Sequence, residues 1–436
     1  MKNQILYASL FSSVILLSCQ SNSSSQQQTA VKTETGELNL PAPDTKASKN
    51  KFSKVIGWPD GKTPVAPEGF VVTKFASGIK SPRNMIIAPN GDVLVVLSNS
   101  ERSKAEAAVN AISGKSKSEV PGQSANTILL YRDANKDGVP ETTTTFLSGL
   151  NQPYGMAFIG NSFYVANTDG VWQYPYTTGE TKISGTGKKI LSLPAGGYNN
   201  HWTRNLITNA DQTKIYVTVG SGSNVAEHGL ENEVRRANIL EINPDGSGEK
   251  IYASGLRNPV GVDWAPGTNT LWTAVNERDE LGDDLVPDYI TSVKPGAFYG
   301  WPFSYYGQNE DPRMKGKNPE MVKKAIVPDV PVGAHTASLG LAFYKATKFP
   351  AKYQGGAFIG QHGSWNRSEI SGYKVAFVPF KDGKPTGKPE DFLTGFVADA
   401  DKAEVYGRPV GVTLTQDGAL LVADDVSGVI WRISAK

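Results

Sequence analysis

The sequence predicts an all-β protein, a six-bladed β-propeller, on three observations. Short runs of alternating apolar and polar residues fill the chain, and its 45 glycines and 27 prolines are well spread between them. Stretches with helical apolar spacing are few. A weak phrase also recurs six times, at irregular intervals of roughly 50–80 residues. It consists of a polar or proline-containing start, an alternating strand, a turn and a second strand that ends in polar residues. Uneven spacing fits propeller blades with variable loops better than a solenoid of uniform units.

In chain order, the N-terminus reads as a lipoprotein signal peptide over 1–18. Lys2 precedes an apolar run over 5–17, too short for a comfortable membrane span. Leu16-Leu17-Ser18-Cys19 has the form of a bacterial lipobox, in which Cys19 is acylated. An ordinary secretory signal holding a chance cysteine is the alternative. The lipobox reading places the protein on the periplasmic side of a bacterial membrane, lipid-anchored, and Gln20 after the cysteine suits the outer membrane. Cys19 is the one cysteine, so the mature chain has no disulfide, thiol nucleophile or covalent haem site. Residues 19–51, rich in Ser, Gln, Thr and Lys, are expected to be a disordered tether. Residues 52–436 form the propeller domain. With 44 basic against 42 acidic residues, nothing points to nucleic acid as a partner.

The six phrases cover 81–96, 152–167, 201–224, 257–277, 335–362 and 408–424. Segments 170–174 and 429–433 have the alternation of further, outer strands. In a propeller the turns leading into the innermost strands meet around the central channel. Those turns carry Arg83, Tyr154, His201 with Arg204, Arg257 with Asn258, His335, and Arg408. Arg or His at five of six such turns predicts one cationic funnel suited to an anionic ligand or cofactor. Arginines that tie blade edges to carboxylates are the structural alternative.

The richest of these turns is 198–206, with a histidine, an arginine, three asparagines and two aromatics. A neutral imidazole takes a proton near pH 7, and an arginine holds an anion in a fixed fork. A polar turn capping strand ends is the plainer reading. Residues 99–125 look like an inserted loop or lid in the first blade. The segment 133–141 begins like a calcium loop, but Thr144 stands at the twelfth position, which favours a simple Asp-Gly turn. The stretch 276–284 places five carboxylates within eight residues after the fourth inner pair. It is expected to hold a hard divalent cation, Ca²⁺ before Mg²⁺, or else to pair with neighbouring bases.

Together these motifs resemble the glucose/sorbosone dehydrogenase family, over roughly residues 60–434. The marks are Asn200-His201, Gly255-Leu256-Arg257-Asn258-Pro259-Val260-Gly261 with the acidic loop after it, Tyr299-Gly300-Trp301-Pro302, and Arg408 ahead of Gln416-Asp417-Gly418. Gln361-His362-Gly363-Ser364-Trp365-Asn366-Arg367 and the His335 phrase are closest to the sorbosone dehydrogenase branch. The resemblance implies a six-bladed propeller that uses pyrroloquinoline quinone and Ca²⁺ to oxidise a sugar or sugar-derived aldehyde. It implies that His201 is the base, removing the hydroxyl proton while the adjacent carbon delivers hydride to the quinone, and that Arg257 sits beside the reactive carbonyl. It further implies cofactor contacts from Asn258, His335, His362 and Arg408, with Asp279 and Glu280 near the metal, and the turn residues Arg83, Asn200 and Arg204 are expected to join them. The chemistry agrees, since a quinone bearing carboxylates needs cationic partners. Without a haem motif or cysteines for an iron–sulfur cluster, electrons must pass to a separate acceptor, a quinone or cytochrome. A metal-dependent propeller lactonase or hydrolase, and a non-catalytic ligand-binding propeller, are the competing readings.

Overall fold

The structure, a computed structural model, describes residues 28–46 and 49–436. The expected signal peptide and Cys19 lie outside the described residues. Nearly all of the described chain is β. Six four-stranded antiparallel sheets follow one another, and in five of them the strands neighbour in chain order. They begin with Pro82–Ile87, Gly155–Ile159, Leu206–Thr208, Pro259–Trp264, Ala342–Phe343 and Pro409–Leu414. These first strands touch in succession, and the last touches the first. The sixth sheet takes its fourth strand, Phe70–Ser77, from the start of the domain, where it pairs with Val429–Ala435. This is a β-propeller.

Burial explains why each strand stands where it does. The second strands, such as Val93–Leu97, Ile215–Val219 and Leu420–Asp424, are buried at every residue because both faces meet a neighbouring sheet. Outer strands such as Lys188–Ser192 bury one residue in five. The apolar clusters lie between adjacent sheets: Leu94, Val96 and Phe146 pack on Met156 and Phe163, and Val422 and Trp431 pack on Phe358 and Phe377. Where first strands meet, backbones press together. A Cβ on Gly155 would lie 2.4 Å from the amide nitrogen of Leu206, and one on Gly411 would lie 2.4 Å from the carbonyl oxygen of Arg83. The Pro-Tyr-Gly and Pro-Val-Gly starts of these strands reflect that closeness.

Two parts differ from the sequence reading. Within the expected tether, Thr29–Thr33 and Gly36–Leu40 pair as a hairpin. Its Val31 and Leu40 are buried against Leu281, Leu285 and Tyr289, and the amide of Glu34 donates to the Asp329 carbonyl. Two apolar side chains on one face suffice to dock an otherwise polar segment. The insertion at 99–125 is ordered as a helix, Lys104–Ser113, and a 3₁₀ turn, Lys115–Ser118. A Ser103–Glu106 capping box starts the helix and left-handed Gly114 ends it. Among the described residues no helix is long and apolar enough to cross a membrane.

Candidate active site

A cavity of about 710 Å³ opens where the turns into the first strands converge. Arg83, Asn200, His201, Arg257, Asn258, His362 and Arg408 all line it. The turns after the second strands of five of the six sheets and the insertion complete its wall.

His201 is fixed by the turn that follows Ile215–Val219. Its Nδ1 lies 3.1 Å from the Ser221 carbonyl oxygen and 2.9 Å from Ser221 Oγ. Ser221 Oγ–H donates in turn to the Ser223 carbonyl at 2.7 Å, so toward the histidine the hydroxyl is an acceptor. The Nδ1 therefore carries the proton, and the Nε2 lone pair has no partner among the described residues. Burial, then the Arg257 charge, pulls the imidazole pKa down to about 3. The ring is neutral near pH 7.

Arg257 is 2% exposed and held from every side. Asn224 accepts from its Nε at 3.1 Å through the carbonyl and from its guanidinium at 2.9 Å through Oδ1. The Asn276 and Glu277 carbonyls accept from Nη1, and Asp279 pairs with Nη2 at 3.1 Å. Across the cavity, Asp425 bridges Arg83 at 2.5 Å and His362 at 2.8 Å. Burial and Arg408 lower the His362 pKa to about 4 despite that carboxylate. Burial would raise Asp425, but His362 and Arg83 outweigh it and hold its carboxyl well below the usual range. The Arg83 guanidinium also lies over the Trp202 ring at 5.6 Å, and Trp202 Nε1 donates to Ser100 of the insertion. Arg408 donates to the carbonyls of His362, Gly363 and Ser118 at 2.7–2.9 Å.

Two residues expected at the cofactor stand behind the wall instead. Arg204 is fully buried, donating to the carbonyls of His201, Thr203 and Pro194 and to Asn199 Oδ1. It braces the turn that carries His201. His335 turns away from the cavity, with Nδ1 3.3 Å from Asp279 and Nε2 2.9 Å from the Gly282 carbonyl. Burial opposes its proton, but the bond and charge of Asp279 win and its pKa rises. Tyr154 is buried beneath the site, edge-on to Trp202.

The acidic loop does not gather a cation site around Asp279 and Glu280. Asp279 faces Arg257 and His335, Glu280 pairs with Arg313 at 2.5 Å, and Asp284 pairs with Arg367 at 3.0 Å. Asp283 accepts from the amide and hydroxyl of Ser368. Each acid has its own partner, so the charges are dispersed. Among the described residues the group of three acids close enough to share an ion is Asp133, Asp137 and Glu141, in the hairpin turn at 133–141. Sequence reasoning missed Asp425, Ser221 and Asn224. Asp425 had one signal, its place at the end of the sixth pair. Ser221 and Asn224 sit in the Gly-Ser turn closing the third pair and are ordinary turn residues by sequence.

The chain matches the family described as TrAA12-like over residues 64–297 and 304–436. An uncharacterized protein of Borreliella burgdorferi is 30% identical over 300 residues, 66% of this chain and 77% of that protein. An aldose sugar dehydrogenase of Escherichia coli is 34% identical over 123 residues, 27% of this chain and 30% of its own length. A pyrroloquinoline quinone-dependent pyranose dehydrogenase of Coprinopsis cinerea is 22% identical over 428 residues, 84% of this chain. The chain spans 54% of that enzyme's length. The same fold occurs in a calcium structure of a Trichoderma reesei carbohydrate-active enzyme of family AA12, with a TM-score of 0.68 and 18% identity, covering 86% of this chain and 97% of that one. It occurs also in the holo form of the pyranose dehydrogenase PQQ domain from Coprinopsis cinerea, with a TM-score of 0.67 and 19% identity, covering 88% and 100%.

Proposed function

The chain belongs to the TrAA12-like family, and from that premise we propose that it is a pyrroloquinoline-quinone-dependent dehydrogenase of a sugar or sugar-derived aldehyde. In this reading the six sheets are the blades of a six-bladed propeller. The observation that carries it is a neutral His201 with its Nε2 lone pair open to a cavity that Arg83, Arg257 and Arg408 also line. Similarity to the aldose sugar and pyranose dehydrogenases supports the substrate class.

The cavity's polar groups fit such a cofactor. Arg83 Nε and Asn258 Oδ1 are buried without a hydrogen-bond partner, so a donor and an acceptor await a ligand there. Arg408 spends its bonds on carbonyl oxygens and keeps its charge for an anion. Arg83, Arg408 and Asn258 would hold the cofactor, with Arg257 beside its reactive carbonyl. When bound, the cofactor supplies an electrophilic ortho-quinone that accepts two electrons from the substrate carbon. His201 Nε2 takes the substrate hydroxyl proton, and Ser221 keeps the ring in the tautomer that can do so. An anion beside the imidazole raises its pKa above the value set by burial and Arg257, which improves it as a base. Arg257, anchored by Asn224 and Asp279, is pre-oriented toward negative charge that develops in the reaction. Asn200 and Trp202 help exclude water.

The Trichoderma calcium structure supports Ca²⁺ as a companion ion in the family. Asp279 and Glu280 do not fit it as a pair, because each is already neutralised by an arginine. The sorbosone-type preference and a separate quinone or cytochrome acceptor belong to the same proposal. So does acylation of Cys19, with the protein held on the periplasmic face of a bacterial membrane; Cys19→Ser should abolish incorporation of labelled fatty acid. The test of function is to add pyrroloquinoline quinone, with and without Ca²⁺, to purified protein and follow dye reduction. Aldose- or aldehyde-dependent reduction is expected. No reduction with any aldose or aldehyde would refute the reading.

A further inference from the structure

We infer that the insertion of the first sheet delivers Lys115 into the cavity as a carboxylate-binding residue, for a carboxylate carried either by the cofactor or by an acidic sugar. The inference rests on the cavity being the cofactor and sugar site. Its starting point is that the helix Lys104–Ser113 buries none of its own residues. It adds nothing to a core, yet both of its flanks are fastened to the cavity wall. Asn99 Nδ2 donates to the Val120 carbonyl at 2.8 Å, closing the base of the insertion. The Ser118 carbonyl accepts from Arg408 at 2.7 Å, and Arg102 pairs with Glu119 at 2.6 Å. Gly114, at φ +82°, reverses the chain after the helix and sets Lys115 at the first position of the turn beside the cavity.

Among the lysine and arginine side chains that line the cavity, that of Lys115 alone of the described residues has neither an ion pair nor a hydrogen bond, since Arg408, without a carboxylate, is held by three carbonyls. Arg83 faces Asp425, Arg102 faces Glu119, and Arg257 faces Asp279. Lys115 Nζ has no ion pair and no hydrogen bond among the described residues, and it lies over the Trp365 ring at 5.7 Å. The carboxylates of the wall have other partners, Glu101 accepting from Asn126 Nδ2 at 3.1 Å. Glu106 caps its helix, Glu227 accepts from the amides of Asn224 and Val225, and Glu280 pairs with Arg313. Burial, then Arg102, draws the Lys115 pKa down, which marks an ammonium short of compensation. A half-buried cation in that position gains most from an acceptor that arrives with the ligand.

The test uses the full chain with Lys115→Gln and the charge-retaining Lys115→Arg. Two quantities are read: the Kd of cofactor-free protein for pyrroloquinoline quinone, by fluorescence titration, and the KM of loaded enzyme for glucuronate against glucose. Losing one charge-assisted hydrogen bond should cost about tenfold in one of them, largely restored in Lys115→Arg. A tenfold rise in Kd with an unchanged KM ratio assigns Lys115 to the cofactor. An unchanged Kd with a tenfold rise for glucuronate alone assigns it to an acidic sugar. Both unchanged in folded Lys115→Gln overturns the inference. Should wild-type protein bind no quinone, the functional reading fails separately, and calorimetric titration with citrate and glucuronate at low salt still decides. Tighter binding by wild type than by Lys115→Gln upholds the carboxylate site, and equal binding removes it.

Discussion

His201 owes its chemistry to Ser221, whose carbonyl and hydroxyl oxygens both take the Nδ1 side and leave Nε2 open. The sequence showed the histidine and its arginine neighbours but not which of them face inward. Arg204 stands three residues from His201 and is a brace, because its reach matches the carbonyls behind the turn. His335 is equally inward by sequence and instead holds Asp279. Three of the histidines, His201, His335 and His362, should separate by titration. In the C2–H resonances of cofactor-free protein at pH 5, His201 and His362 should remain neutral while His335 is protonated. Protonation of His201 near pH 6.5 would contradict its burial against Arg257. The sign for stability follows. Between pH 6.5 and about 4 the unfolded chain binds protons at these two sites that the folded chain refuses. Acidification through that window should therefore destabilise the protein, by up to about 1.4 kcal/mol per pH unit for each group. His201→Gln combined with His362→Gln should flatten the dependence of the urea midpoint on pH, and an undiminished slope would assign it to other groups.

At the level of elements, strand pairs were legible wherever alternation met a turn residue, as at 152–167, which folds as Gly155–Ile159 and Ser162–Asn167. Partnership at long range was not. The five acids of 276–284 are obvious in sequence, but Arg313, His335 and Arg367, which disperse them, lie tens of residues further on. The 29–40 hairpin escaped for the opposite reason. Its composition is that of a tether, and only docking reveals that Val31 and Leu40 share a face. Leu40 is 1% exposed, so Leu40→Ala should cost about 2–3 kcal/mol in urea unfolding and expose the hairpin to hydrogen exchange. An unchanged midpoint would mean that the hairpin contributes nothing to the propeller. The capping box of the insertion was readable in Ser103-x-x-Glu106, whereas its contact with Arg408 was not, since the two are 290 residues apart.

Across the whole molecule, closure depends on Phe70–Ser77 pairing with Val429–Ala435, the two ends of the domain. Six similar phrases indicated the repeat, yet nothing local marks 70–77 as the strand that completes the last sheet. Ending the chain at Gly428 removes Trp431 and Ile433 from the core between the fifth and sixth sheets and leaves Phe70–Ser77 unpaired. That truncation should abolish cooperative unfolding in near-ultraviolet circular dichroism, and a sharp native-like transition would show that the ring does not need its closing pair. A closed ring matters because it sets Arg83, His201, Arg257 and Arg408, from four different sheets, around one cavity. Their joint action is the centre of the functional account. The most direct test is single-turnover reduction of pyrroloquinoline quinone by an aldose, wild type against His201→Ala, alongside titration of cofactor binding. Near-equal cofactor affinity with reduction slowed on the order of 10²–10⁴-fold is the result the site predicts. Full-rate reduction in folded His201→Ala, or no quinone binding by folded wild type, would contradict it.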